Sequence, residues 1–275
     1  MPDRRPETIS HRLAGSPLAR VAALPVRLRT VLRHDARVLG ASARWLVRSR
    51  EHTNYTFELT PLNRVHLAWW VANVVGAPVE RIRGYMDEAD GDTALEDHVR
   101  RATARSDRRR LADPDVHLHR RLGWYALVRE LQPECVVETG TDKGLGSVVL
   151  AAALLRNGHG RLITMDINPT AGYLIGGPYA DVTELRVGDS VAGLAAMEEQ
   201  VDFFLHDSWH SRDHELAEYQ AVAPRLSGGA VVLSDNSHVM DALPAWAELT
   251  GRRFHYFAEE PRDHWYPGAG IGLAR

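Results

Sequence analysis

From Leu122 to the C-terminus, short apolar runs alternate with segments of helical periodicity, and this alternation restricts the chain to few architectures. Strand-like runs fall at Cys135–Glu138, Leu162–Met165, Glu184–Val187, Asp202–Leu205 and Ala230–Leu233. Two more follow at Phe254–Phe257 and Ile271–Ala274. Helix-like segments at Ser147–Leu155, Val191–Glu199 and His214–Leu226 separate strands of the first five. Strands and helices alternating at this spacing build a parallel sheet with a helix layer on each side. The expected fold is α/β: a seven-stranded, mostly parallel sheet with helices on both faces, plus a helical N-terminal extension.

The chain ahead of that region divides in two, giving three expected segments. Residues 1–53 form an arginine-rich arm that is short of acids, with Leu24, Leu28, Val31, Leu32, Leu39 and Leu46 at roughly helical spacing. That pattern suits either a packing arm or a basic amphipathic helix for a membrane surface or partner. Residues 54–114 read as helical, with Pro61 at a first turn and a second helix from about Pro78, and they are expected to form a substrate lid. The acidic stretch Asp87–Asp92 does not have the spacing of a calcium loop and reads as a solvated turn. Residues 115–275 hold the α/β domain.

Composition narrows the class further. With 275 residues and 44% hydrophobic content, the chain can bury one sizeable α/β core. A net charge of −3 gives no electrostatic footprint for nucleic acid. Cys135 is the single cysteine, which excludes an internal disulfide and a multi-cysteine zinc site and fits a cytoplasmic setting. No apolar run reaches the roughly 18 residues of a membrane span. Lys143 is the only lysine, so arginine counts are a poor sign of anion recognition here. A small-molecule partner is expected, and a homo-oligomer is compatible with the sequence.

The ends of the strands carry the chemistry. Val136–Ser147 (VVETGTDKGLGS) runs from strand through Gly140, Gly144 and Gly146 into helix. Glycines allow close backbone approach, and the following helix N-terminus offers N–H groups to an anion. The glycine order is not the G-x-G-x-x-G of a dinucleotide site. Asp166 ends the second strand about 20 residues on, where an acid can accept from ribose hydroxyls; it can also cap the Asn168-Pro169 turn. Asp189 and Ser190 end the third strand, where both can contact an adenine edge, and Ser190 can equally be the N-cap of the next helix. Asp207 and Asp235, with Asn236, end the fourth and fifth strands and are expected to converge on one sheet edge, where three oxygen ligands suit Mg²⁺. His210, in the loop after Asp207, can serve as general base. His206, His210 and His214 are spaced by four but do not share one helix, so a three-histidine metal site is not expected. Tyr55, Trp69, Trp70, Tyr173, Trp265 and Tyr266 are candidates for a pocket wall.

The stretches VVETGTDKG, ITMDINP, VGDS, DFFLHDSWH and GGAVVLSDN resemble those of Rossmann-like, class I S-adenosylmethionine (SAM) methyltransferases. Within that class they resemble metal-dependent O-methyltransferases of the catechol O-methyltransferase type and bacterial small-molecule methyltransferases. The likeness covers about Leu122 to Phe257. It implies SAM as cofactor, bound by Glu138, Gly140, Thr141, Gly144, Ser147, Asp166, Asp189, Ser190, Asp207 and Trp209. It implies Mg²⁺ on Asp207, Asp235 and Asn236, with Asp207 and His210 as catalytic residues and a small-molecule hydroxyl as acceptor: sugar, polyketide or phenol. Two positions depart from the pattern: His210 stands where the family has a catalytic lysine, and Gly146 stands where it has a serine, with Ser147 one place later. The alternatives left open are a metal-free methyltransferase, an NAD(P) oxidoreductase, which the glycine order disfavours, and a non-catalytic SAM-binding partner protein.

Overall fold

The computed structural model describes residues 15–51, 56–113 and 115–275. They fall into two units, residues up to Ser49 with Asp263–Trp265, and Arg50–Arg262 with Tyr266–Arg275. In the first unit a short helical turn, Ala19–Ala22, precedes helix α1 (Leu24–Arg48), which has Pro25 in its first turn. Leu24, Leu28, Val31, Leu32, Leu39 and Leu46 on α1 are all exposed, while Trp45 packs edge-on against Trp265 at 5.4 Å.

The second unit begins with three helices: α2 (Pro61–Val75), α3 (Val79–Asp90) and α4 (Thr93–Arg105). Thr60 caps α2 by accepting from the Asn63 N–H, and Gly76 ends it at φ +73° in the left-handed conformation that glycine tolerates. The acidic turn serves structure: Asp87 and Asp90 pair with Arg64, Glu88 accepts from Tyr125 and Arg129, and Asp92 caps α4.

The α/β part follows as α5 (Arg121–Leu131), β1 (Cys135–Thr139), α6 (Leu145–Asn157), β2 (Arg161–Asp166), β3 (Thr183–Val187), α7 (Ser190–Ala196), β4 (Val201–His206), α8 (Arg212–Val222), β5 (Leu226–Ser234), α9 (Ala242–Thr250), β6 (Phe254–Ala258) and β7 (Gly270–Ala274). The sheet order is β3-β2-β1-β4-β5-β7-β6. Strands β1 to β5 are parallel, and β7 inserts antiparallel between β5 and β6. One apolar cluster joins α2–α6 to one sheet face; the second lies on the other face around Phe204, Tyr219 and Trp246. The expected seven-stranded, mostly parallel sheet is the observed one. The expected helix His214–Leu226 ends earlier, at Val222, because Pro224 cannot continue it; a 3₁₀ turn (Ala223–Arg225) leads into a longer β5.

The order reverses at β1 and β4, so the crevice beyond their carboxyl ends is where an open α/β sheet takes a ligand. Register brings four tips level there: Thr139 lies beside Met165 and His206, and His206 beside Ser234. The residues one place further on, Gly140, Asp166, Asp207 and Asp235, therefore share one edge.

Candidate active site

Two cavities open along this edge and share Gly140, Asp142, Asp207 and Ser208 as a wall. Asp166, Asp189, Ser190 and Trp209 line one of them, of about 810 Å³. The second, of about 600 Å³, is lined by Glu138 and Gly146 on one side and by His210, Asp235, Asn236 and Tyr266 on the other. Each exceeds the roughly 300 Å³ at which a pocket holds a small ligand.

Gly140 makes the shared wall possible. Its φ is +87°, and a Cβ there would collide with the Asp207 carbonyl. The loop is held on both sides: the Gly140 N–H donates to the Met165 carbonyl at 2.8 Å, and the Asp207 N–H donates to the Thr139 carbonyl at 2.9 Å. Asp166 accepts from the Asp142 N–H and the Asn168 N–H, both at 2.8 Å, so it ties the glycine loop to the β2 turn while it lines the first cavity. The helix cap expected of Ser190 is supplied one residue earlier: Asp189 caps α7 by accepting from Ala192 at 2.8 Å, and Asp189 and Ser190 both line the cavity. Trp209 is at the rim, 72% exposed.

Ser147 and Gly144 of the glycine loop lie outside both cavities, while Thr141 lines the second with its hydroxyl turned inward. The Ser147 hydroxyl is turned into the interior, onto the Glu138 carboxyl. Thr141 is also buried, its hydroxyl 2.7 Å from that of Thr164. Gly144 begins α6 at φ +92° and lies against Ile175, outside both cavities. The inward turn of Ser147 has a physical reason. Glu138 sits against Gly146, where a Cβ would collide with its carboxylate, and it needs the hydroxyls of Ser147 and Thr164 as donors. Burial raises the Glu138 pKa to about 7 despite those hydrogen bonds.

A buried carboxylate missed in the sequence underlies the first cavity. Glu218, on α8, collects His206 Nδ1 at 2.6 Å, Thr139 Oγ1 at 2.7 Å, Ser208 Oγ at 2.7 Å, Ser190 Oγ at 2.5 Å and His214 Nε2 at 3.0 Å. These donors hold its pKa below the usual carboxylate range against the opposing effect of burial. His206 and His214 thus meet on Glu218, while His210 turns to Asn236, whose amide nitrogen is 2.8 Å from His210 Nε2. Burial, then His206, lowers the His210 pKa and favours the neutral ring.

The fourth and fifth strand ends do meet. Asp207 is pushed well above its ordinary pKa by burial and by the charge of Asp235, to which it is hydrogen-bonded. Asp235 is held low, chiefly by Arg120 against the effect of burial. Arg120 was not expected here. It lies just ahead of α5, and its Nε and Nη2 donate to the two carboxylate oxygens of Asp235. Its Nη1 donates to Glu259 at 3.0 Å, and His119 Nδ1 reaches the same carboxylate at 3.0 Å. His119 is held at φ +37°, an uncommon conformation for a residue with a side chain.

The family model of the methyltransferase domain matches residues 137–237. That match runs from within β1 to the loop after β5 and includes the whole lining of the first cavity and part of that of the second. No curated protein matches this chain. An O-methyltransferase from Bacillus cereus in complex with S-adenosylhomocysteine (SAH) is similar in fold, with TM-score 0.51 and 19% identity over 66% of this chain and 90% of that one. A candidate O-methyltransferase of Klebsiella pneumoniae has TM-score 0.50 and 18% identity over 67% and 90% of the two chains.

The expected Mg²⁺ ligands come together without forming a cation site. A hard divalent ion needs ionised carboxylates with open lone pairs. Arg120 takes both oxygens of Asp235, burial and the Asp235 charge push Asp207 well above its ordinary pKa, and the Asn236 amide faces His210. Among the described residues, no group of three or more His, Cys, Asp or Glu side chains is arranged to hold a metal ion. The donor set therefore does not fit Mg²⁺: a guanidinium already supplies the positive charge. Of the candidate wall aromatics, Tyr266 lines the second cavity, Tyr173 lines another cavity, Trp70 packs on Phe257, Trp69 is exposed, and Trp265 belongs to the α1 unit. Tyr55 lies outside the described residues. Among described residues 56–113, Phe57 alone lines the second cavity. No helix among the described residues is long and apolar enough to cross a membrane.

Proposed function

We propose that this protein transfers the methyl group of SAM to a hydroxyl oxygen of a small molecule, with Arg120 in place of a metal ion. The observation that carries the reading is the pair of cavities joined at Gly140 and Asp207. A cavity with acids at the β2 and β3 tips suits an adenosine, and the other presents a neutral histidine. SAM supplies a sulfonium whose methyl carbon is the electrophile. Asp166 accepts from the ribose, Asp189 and Ser190 face the adenine, and Trp209 covers its rim. Glu138 and the Gly140 loop take the amino-acid end.

The acceptor lies in the second cavity, its oxygen in line with the methyl carbon, and alignment supplies most of the catalysis. A C–O bond forms as the C–S bond breaks, with the electron pair passing to sulfur. His210 Nε2 takes the hydroxyl proton, the acceptor hydroxyl replacing the Asn236 amide at that nitrogen. The Bacillus cereus structure holds SAH, the product of such a donor, in the same fold.

The test has two arms. Isothermal titration should give SAH binding and none with NAD. Incubation with SAM and a panel of phenols, polyketides and sugars, read by mass spectrometry, should give one methyl addition on oxygen. Binding of NAD in place of SAH would overturn the reading.

A further inference from the structure

Beside Arg120 lies a second buried arginine that the reading above leaves without a role. Arg121, the first residue of α5, is 7% exposed and lines the cavity that holds His210. Arg120 is ion-paired to Asp235 and Glu259; Arg121 is within ion-pair distance of no carboxylate among the described residues. Its Nη1 donates to His119 Nε2, and its guanidinium stands 5.3 Å over the ring of Trp124. Its Nε is buried with no hydrogen-bond partner among the described residues.

A buried cation in this state is unfavourable. Its hydration is lost, a neutral imidazole and an indole face recover part of that, and the neighbouring Arg120 repels it. Such a group is stabilised by an anion, and a planar guanidinium suits a carboxylate, which it can grip through two parallel N–H groups. The first turn of α6, Leu145 and Gly146, lines the same cavity, so an anion there also meets the positive end of a helix.

We infer that Arg121 is a carboxylate-binding subsite of the methyltransferase, set beside the methyl-transfer position. The inference rests on the proposed function and refines it. Two ligands in that reaction can supply the group: the methionine carboxylate of the donor, or a carboxylate on the acceptor.

The experiment separates these sources. Wild type, Arg121→Gln and Arg121→Lys are titrated with SAH and with 5′-methylthioadenosine, which has the nucleoside but no amino-acid part. The SAH complexes are then tested by thermal shift with benzoate. If the donor supplies the carboxylate, Arg121→Gln binds SAH about thirtyfold or more weakly. Arg121→Lys recovers part of that loss, and 5′-methylthioadenosine binds all three proteins alike. If the acceptor supplies it, SAH affinity is unchanged throughout, and benzoate raises the Tm of wild type and Arg121→Lys but not of Arg121→Gln. Unchanged 5′-methylthioadenosine binding also shows that the variants are folded. The subsite is overturned if Arg121→Gln matches wild type with both SAH and benzoate. It is equally overturned if SAH and 5′-methylthioadenosine weaken in parallel, which marks a packing role. Failure of SAH to bind the wild type is a different result, since it removes the methyltransferase reading and the subsite with it.

Discussion

Arg120 grips Asp235 through both carboxylate oxygens, across 115 residues of sequence and in the interior behind the cavity that holds His210. Removing one partner of a buried pair strands the other charge. Arg120→Met leaves both Asp235 and Glu259 without their cation and should destabilise the fold by about 3 to 5 kcal/mol in urea denaturation. Pairing it with Asp235→Leu should restore part of that loss, since only Glu259 then remains unmatched. A single variant as stable as wild type would contradict the arrangement.

Chelation follows from the same pair. With a guanidinium on Asp235, EDTA should leave methyl transfer and the Tm unchanged, and added Mg²⁺ should raise neither. Loss of turnover in EDTA with recovery on Mg²⁺ would show that Arg120 gives way to a metal.

His210 sets an acid limb in the rate. Its pKa is lowered from 6.5, chiefly by burial, so the fraction of neutral base falls only as pH drops below the ordinary histidine range. With His210 as the proposed base, the profile of kcat/KM against pH should be flat near neutrality and decline only below the ordinary histidine range. His210→Gln should cut kcat by about 10²- to 10⁴-fold and abolish that limb, while SAH affinity stays near wild type. An unchanged limb in the variant would assign it to another group.

Glu138 carries a stability cost with a definite sign. Its folded pKa is about 7 against an ordinary 4.5, so the folded state binds more protons between those values. Its contribution is therefore full at low pH and lost as pH rises through about 7, on the order of 3 kcal/mol. Asp207 acts in the same direction; His119, lowered to about 3 by burial, acts in the opposite one and loses stability as pH falls from 6.5. Glu138→Gln should gain on wild type as pH is raised from about 5 to about 8, as measured by urea midpoints. A constant difference across that range would mean the Glu138 carboxyl titrates normally.

Gly140→Ala should fail for two reasons at once, a φ of +87° and a Cβ driven into the Asp207 carbonyl. A loss of about 2 to 4 kcal/mol is expected, together with loss of SAH binding by calorimetry. Normal SAH binding in this variant would show that the two loops move apart without harm.

The strand tips were legible because period and punctuation are local. The runs ending at Glu138, Asp166, Asp207 and Asp235 could be placed by counting, and parallel register then aligned them. The insertion of β7 between β5 and β6 was not readable, because antiparallel pairing at a sheet edge depends on packing that no local pattern encodes. Arg120 was hidden for another reason. In a chain whose cations are nearly all arginine, the His119-Arg120-Arg121 run has no distinguishing composition, and its partner Glu259 is 139 residues away. Glu218 likewise resembles any acid on an amphipathic helix. The four-residue step from His214 was its only signal, and only the fold shows that this step faces inward.

The Glu218 junction bears on how such a pocket can change. Its carboxylate is the common acceptor for groups on β1, β4, α7, α8 and the loop that carries Ser208. Enlarging the adenine side by trimming Ser190, as one would to admit a bulkier donor analogue, shifts hydrogen bonding beneath the loop that leads to His210. Under the proposed function, donor selectivity and base placement are coupled through this one carboxylate, and redesign of either has to begin by re-satisfying the shared anion.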